Sequence, residues 1–450
     1  MDKSMRDFGK SDDPRVQAQL DRLARLSLPQ GRLGLDTIRA LLDRLGNPHR
    51  KLPPTFHVAG TNGKGSTCAF LRAMLEAEGY RVHVTTSPHL VRYNERIRLA
   101  GELISDAMLA EVLAEVLDAG EDLGPSFFEV TIAAAFLAFA RVPADACVVE
   151  VGMGGRFDAT NVLEPEVLAA CGIAALGLDH ERFLLAPEDG VPKEPMARIA
   201  FEKAGIAKRG VPLVTMGDRH LPQSRAAIEA TAATVGAPLF PCGLYGAWAA
   251  KTGGGDGRLI YGEGQACYFH AQLGLTGRHQ VQNAGLAVAM LRFQSRLPVS
   301  EAAMKAGLAA ARWPARMQRL SPGPLTGTRE VWLDGGHNPD AGQAIAGFFG
   351  TGTPDPANPL RRLHLVIGMI EGKDPAALTG PLGPALASII AVPVPGHDWH
   401  SASAFGPAAR PAPDVPGALA MIPDDGLPIL IAGSLYLAGE VLRLNDELPD

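Results

Sequence analysis

The run His57-Val-Ala-Gly-Thr-Asn-Gly-Lys-Gly-Ser-Thr67 constrains this 450-residue chain more than any other segment. It follows an apolar, strand-like run, TFHVA (Thr55–Ala59), and leads into an apolar-periodic segment, CAFLRAMLEAEG. A glycine-rich turn between a strand and a helix exposes backbone N–H groups that no Cβ shields, so they can wrap a phosphate. The helix N-terminus adds roughly half a positive charge. Lys64 adds a full one, and Ser66 or Thr67 offers a hydroxyl to Mg²⁺. The run departs from the strict GxxxxGK[ST] form: Val58 stands where the first glycine belongs, and Gly65 follows Lys64. The plain alternative is a glycine-rich turn with a surface lysine, and the order strand, GTNGKGST, helix weighs against it.

From about residue 55 onward strand-like runs alternate with helix-like ones. VHVTT (Val82–Thr86), ACVVEV (Ala146–Val151) and VLAACGIAAL (Val167–Leu176) read as strands; Ser105–Asp118 and Phe127–Ala140 read as helices. A second series follows residue 298, with EVWLD (Glu330–Asp334), LHLVIGM (Leu363–Met369) and PILIAG (Pro428–Gly433) as strands. This alternation predicts an α/β protein with mostly parallel sheets covered by helices. A chain this long is expected to form two domains. The division is placed at 297/298: an ATP-binding domain over 1–297 and a smaller, Rossmann-like α/β domain over 298–450.

Net charge of −6 argues against nucleic acid or an acidic membrane as the main partner. The most apolar stretch, Phe127–Ala140, is too short for a membrane span and carries Glu129. The polar N-terminus lacks the apolar core of a signal peptide. Five scattered cysteines without a CxxC pair read as reduced thiols in a cytoplasm.

In an open parallel sheet, ligands bind beyond the carboxyl ends of the strands. Gly60, Ser87, Glu150 and His180 each fall at or just after such an end. Ser87 and Glu150 suit Mg²⁺; His180, taken alone, reads better as a hydrogen-bonded pocket histidine. Gly152-Met-Gly-Gly-Arg156 lacks the third glycine of a dinucleotide fingerprint, since Phe157 holds that place. A turn presenting Arg156, Phe157, Asp158 and Ala159 to a ligand fits better.

GTNGKGS is the form typical of the Mur ligase superfamily. TTSPHLVRYNERIRLAGELIS, FFEVT, VEVGMGGRFDATN, GLDH, EKAGIAK, RHQVQNA, DGGHNPDA and GSLYLAGEV follow it in order. Together these segments, spread over about residues 32–442, resemble the folylpolyglutamate synthase family, and within it the bacterial type that also acts as dihydrofolate synthase. The resemblance implies an ATP- and Mg²⁺-dependent ligase, using two ions, of folate biosynthesis and one-carbon metabolism. It joins L-glutamate to dihydropteroate, to the γ-carboxylate of reduced folates, or to both, through an acyl phosphate. A cytoplasmic monomer without nucleic-acid or membrane partners is expected.

Carried over residue by residue, the resemblance assigns the metal to Ser87, Glu150 and His180, which join the Ser66 hydroxyl of the phosphate loop. It assigns ATP to Asn62, Gly63, Lys64, Gly65, Ser66, Asn283, Arg316 and Asp334. The pterin acid falls to Arg32, Leu33 and Gly34, to Ser126, Phe127, Phe128 and Glu129, and to Phe157, Asp158 and Ala159. His337, Ser434 and Tyr436 would stand near glutamate and nucleotide. Lys64, Glu150 and His180 are the expected catalytic groups, with Lys203 matching a carbamylated lysine; a surface lysine is the plain reading of Lys203. The chain departs from the family pattern at Gly336, where alanine is usual, and in a long, proline-rich link at 184–198. The rival readings are a Mur-type peptidoglycan ligase, a nucleotide-binding regulator that has lost catalysis, and a generic P-loop kinase or GTPase, which the departure from the strict loop form disfavours.

Overall fold

The computed structural model describes residues 10–26, 34–243, 246–253, 258–264, 266–351 and 359–449. Eight strands form the first sheet: β1 (Thr55–Ala59), β2 (Val82–Thr85), β3 (Ile97–Leu99), β4 (Glu102–Leu103), β5 (Ala146–Glu150), β6 (Leu168–Ile173), β7 (Leu213–Thr215) and β8 (Leu239–Pro241). Their order is β4-β3-β2-β5-β1-β6-β7-β8. β2, β5, β1, β6, β7 and β8 run parallel, and β3 and β4 add an antiparallel edge. Every residue of β1, β2, β5 and β6 is buried. This continuous burial is what a parallel sheet covered on both faces requires. The Asp106–Gly120 and Phe127–Arg141 helices belong to one apolar cluster. The Lys64–Ala77 and Arg278–Phe293 helices belong to a second.

The pairing of β1 with β5 sets Val58 beside Glu150. The phosphate turn after β1 and the carboxylate ending β5 therefore leave the same edge of the sheet. β1 lies between β5 and β6, while the chain crosses from β1 to β2 on the far side of β5. That reversal opens the crevice in which open α/β sheets bind ligands.

A three-stranded antiparallel sheet, β9 (Trp248–Thr252), β10 (Arg258–Glu263) and β11 (Ala266–Gln272), was not expected from sequence. It packs Trp248, Tyr261 and Phe269 into the second cluster, with Tyr261 and Phe269 ring centroids 5.6 Å apart. The last sheet holds β12 (Gln318–Arg319), β13 (Val331–Asp334), β14 (Leu363–Ile367), β15 (Leu386–Ala391), β16 (Arg410–Pro411) and β17 (Ile429–Ala432). Its order is β12-β13-β17-β14-β15-β16, parallel except for β12. The three strands expected from sequence are its neighbouring central strands.

The helix Glu301–Ala310 follows the division drawn at 297/298, yet it packs on the first domain. A Cβ on Gly307 would lie 2.4 Å from the Met74 backbone, and Met304 and Leu308 join the second cluster. We therefore propose that the division falls at 311–317. Among the described residues, no helix is long and apolar enough to cross a membrane.

Candidate active site

The phosphate turn is gripped from two sides. Gly63 has φ +83°, and a Cβ there would lie 2.3 Å from Asn283 Oδ1. A Cβ on Gly65 would meet the Trp313 ring at 2.6 Å. Lys64 Nζ donates to the carbonyls of Gly60 at 3.1 Å and Thr61 at 3.4 Å, curling back over the turn. The two hydroxyls of the motif part company. Thr67 Oγ1 donates to the Gly63 carbonyl at 2.9 Å and so is committed to its own helix. Ser66 Oγ accepts from Gln280 Nε2 at 3.3 Å, and Gln280 Oε1 accepts from Asn283 Nδ2 at 3.0 Å. Ser66 is thus held from the Arg278–Phe293 helix and not from its own.

Glu150 is 5% exposed, and its Oε2 accepts the Ser87 backbone N–H at 3.2 Å. Burial pushes its carboxyl up; Lys64, the Ser87 N–H, Arg316 and Arg96 oppose that. A carboxylate taken out of water among cations favours a multivalent counter-ion. His180 sits at φ +54°, its N–H donating to Asp179 Oδ1 at 2.9 Å. Its side chain is 45% exposed; partial desolvation pushes its imidazole down, Asp179 opposes, and Lys373, Lys64 and Lys203 add to the effect. An imidazole in its neutral form can act as a ligand or base. Among the described residues, no three His, Cys, Asp or Glu side chains form a metal cage. A set of Ser66, Ser87, Glu150 and His180 fits Mg²⁺, which takes few protein ligands and completes its shell with phosphate oxygens and water.

Lys203 is not a surface lysine. It lies near the end of the Pro195–Ala204 helix, 4% exposed, and donates to the Gly60 carbonyl at 3.0 Å. That carbonyl also receives Lys64. Burial, aided by Lys64, pushes its ammonium down to about 7.

The second domain meets this edge with its own strand ends. Asn338 Nδ2 donates to Asn62 Oδ1 at 3.0 Å, and Lys373 Nζ to Asp179 Oδ1 at 2.8 Å. Arg316 Nη1 donates to the Ala315 carbonyl at 3.2 Å, and its charge reaches Glu150 and His337. His337 Nδ1 pairs with the Gly335 carbonyl at 3.0 Å. Ser434 caps the Leu435–Leu444 helix through the Tyr436 N–H at 3.1 Å. The Tyr436 ring stacks on His397, centroids 4.0 Å apart.

Around the expected pterin site, Ser126 and Glu129 form a capping box: Ser126 N–H to Glu129 Oε2 is 2.7 Å, and Glu129 N–H to Ser126 Oγ is 3.2 Å. Phe127 stands edge-on to Tyr93, with Arg96 5.5 Å over its ring. Phe128 fills the space against Gly152, where a Cβ would come within 2.4 Å of its ring. Phe157 is half-buried under Arg156, 4.2 Å from its centroid.

Two expected contact groups face inward. Asp158 accepts from the Met153 N–H at 2.8 Å, the Thr160 N–H at 3.0 Å and the Thr160 hydroxyl, so its carboxylate holds the turn instead of projecting from it. Asp334 accepts the Met317 N–H at 2.8 Å and the Gly336 N–H at 2.7 Å, so both oxygens already hold backbone. Ala159 is buried, Gly34 stands in open space, and Arg32 and Leu33 lie outside the described residues.

No protein-family model matches the chain. It is 36% identical over 327 residues to dihydrofolate synthase/folylpolyglutamate synthase of Bacillus subtilis, covering 70% of this chain and 71% of the relative. It is 32% identical over 428 residues to folylpolyglutamate synthase of Lacticaseibacillus casei, covering 90% and 92%. The chain belongs to the dihydrofolate synthase/folylpolyglutamate synthase family. Its structure superposes on Escherichia coli FolC in complex with DHPP and ADP with TM-score 0.82 at 29% identity, covering 96% and 97%. For Mycobacterium tuberculosis folylpolyglutamate synthase complexed with ADP and AMPPCP the TM-score is 0.78 at 30% identity, covering 93% and 97%. The two-domain Mur ligase-like α/β fold expected from sequence is the fold of this family member.

Sequence reasoning passed over four residues that build the site: Gln280, Trp313, Asn338 and Lys373. Gln280 and Asn338 lie inside RHQVQNA and DGGHNPDA, so those motifs carried a signal. Trp313 and Lys373 carry none, because each reaches the site only through packing between elements distant in sequence.

Proposed function

We propose that this family member is an ATP- and divalent-metal-dependent ligase that attaches L-glutamate to dihydropteroate and/or the γ-carboxylate of tetrahydrofolates. The observation that carries the reading is the gathering of Lys64, Ser87, Glu150, His180 and Lys203 on one sheet edge, where the charge of Lys64 acts on Glu150, His180 and Lys203 together. Relatives solved with ADP and DHPP, and with Mn, AMPPNP and L-glutamate, support the same set of substrates.

A carboxylate is a poor acyl donor, because oxide is a poor leaving group. Attack of its oxygen on the γ-phosphorus of ATP breaks the bond to ADP and leaves an acyl phosphate. The amine of glutamate then attacks the acyl carbon, and phosphate departs. The protein's task is positioning and charge neutralisation. Lys64 and the N–H groups of Asn62 to Ser66 would hold the phosphates, and Arg316 would reach the γ-phosphate from the second domain as a fixed fork. Ser66, Ser87, Glu150 and His180 would hold Mg²⁺, which when bound neutralises charge on the transferring group. Asn283 orients Ser66 through Gln280 and so would act on the same site. An α-amino group of pKa about 8 needs little help to lose its proton, so a strong general base is not required; burial pushes the His337 imidazole down and makes it a weaker acceptor. Phe127, Phe128 and Phe157 would offer faces to the pterin. Contact between the domains would keep water from the acyl phosphate. The enzyme would work as a monomer in the cytoplasm.

The test is phosphate release with dihydropteroate or tetrahydrofolate, each with and without glutamate. Release that needs both acceptor and glutamate is the expected result. ATP turnover indifferent to the acceptor, or none at all, would refute the reading.

A further inference from the structure

The long link at 184–198 is tied into the substrate turn by charge. Arg156 Nη1 and Nη2 donate to the two oxygens of Glu188 at 3.1 and 2.5 Å. The same guanidinium donates through Nε and Nη2 to Glu202 at 3.1 and 2.8 Å. Arg198 Nη2 donates to Glu188 Oε2 at 2.9 Å, and its Nε lies 3.0 Å from Glu202 Oε1 without hydrogen-bond geometry. Two arginines and two glutamates thus alternate around a closed ring. Their side chains are only 21% (Arg156), 15% (Glu188), 6% (Arg198) and 6% (Glu202) exposed. Bidentate pairs shielded from water in this way hold geometry far better than surface ion pairs.

The ring joins three parts of the molecule. Arg156 belongs to the GGRFDATN turn and lies over Phe157. Glu202 precedes Lys203, and its carbonyl accepts the Arg156 N–H at 2.7 Å. Glu188 comes from the link, whose Leu184 sits 2.9 Å from the Cβ position of Gly154. Arg156 and Glu202 lie within the segments that carry the family resemblance, whereas Glu188 belongs to the long link and Arg198 to the first turn of the Pro195–Ala204 helix in which that link ends. We propose that Glu188 and Arg198 are positioning residues that lock the 152–159 turn, Phe157 included, onto the Lys203 helix and so set affinity for the acceptor acid. The inference rests on the proposed function, in which that turn receives the acceptor.

A role confined to folding would move every kinetic constant with stability, whereas positioning of this turn moves one. Steady-state kinetics of the wild type, Glu188→Ala, Glu188→Gln and Arg198→Lys separate the two, with thermal midpoints measured alongside. Glu188→Ala should raise the KM for dihydropteroate roughly tenfold, as loss of one shielded charge pair allows, and leave the KM for ATP within about twofold. Glu188→Gln, which keeps one acceptor oxygen, should fall between Ala and wild type and decides the matter if the alanine variant does not fold. Arg198→Lys should retain near-normal constants. An unchanged acceptor KM, or acceptor and ATP constants rising together with a falling midpoint, would overturn the inference while leaving the function intact. A wild type without acceptor-dependent phosphate release removes both.

Discussion

Replacing Lys203 with methionine should abolish one component of the pH dependence of stability, and the structure says how large that component is. The Lys203 ammonium is lowered from 10.5 to about 7 by burial and by Lys64. A change of that size corresponds to at most about 5 kcal/mol between the charged and neutral forms. The unfolded chain holds the proton up to its ordinary pKa of about 10.4, while the folded chain releases it near 7. Between these values the unfolded state binds more protons, so folding stability climbs with pH, by about 1.4 kcal/mol per pH unit. Below pH 7 both states are protonated and the folded state carries the full cost. Methionine fills similar volume, loses one hydrogen bond to Gly60 and has no proton to release. Urea midpoints of wild type and Lys203→Met at pH 7, 8 and 9, in buffer free of carbon dioxide, isolate the difference, since other groups titrate alike in both. The wild type should gain on the variant by about 1 kcal/mol or more per pH unit. Parallel pH profiles would refute the argument. The same neutral amine is the form that reacts with carbon dioxide. A carbamate there would turn repulsion from Lys64 into attraction, and ¹³C-bicarbonate NMR should show a carbamate carbon in the wild type only.

Glu150→Gln should lower phosphate release by about 10²-fold or more, a loss typical of removing a group that holds transition-state charge, while the thermal midpoint holds or rises because a buried carboxylate is relieved. Gly63→Ala should destabilise by about 1–3 kcal/mol in urea, from the positive φ and the clash with Asn283, and should raise the KM for ATP. Lys373→Ala breaks the pair that, with His180, holds Asp179 well below the usual carboxylate range despite burial. It should cut kcat/KM about tenfold, and Asp179→Asn should add little in the double variant; fully additive losses would separate the two residues.

Much of the site was legible because its parts are local. The order of strand, glycine turn and helix places Lys64 and the N–H groups of the turn by short-range conformational preference, and a strand end announces Ser87 and Glu150. Elsewhere contacts that the motifs do not announce set the geometry. Asp158 and Asp334 have the right chemistry for a ligand, and backbone N–H groups of their own turns and of Met317 hold them as well. The proposed shift of the division from 297/298 rests on Gly307, which lets the Glu301–Ala310 helix press on Met74. Strands β9 to β11 went unassigned because a short antiparallel sheet interrupts an otherwise regular α/β alternation.

The sequence by itself determined the α/β class, the phosphate turn and the edge on which chemistry is concentrated, since these follow from hydrophobic period and from glycine's access to positive φ over a few residues. Only the tertiary structure decided that Thr67 bonds within its own helix while Ser66 is held by Gln280, that Lys203 lies in the interior beside Gly60, and that Glu188 closes a ring of charge on the 152–159 turn. Burial and choice of partner depend on segments brought together from far along the chain, and no local pattern encodes them.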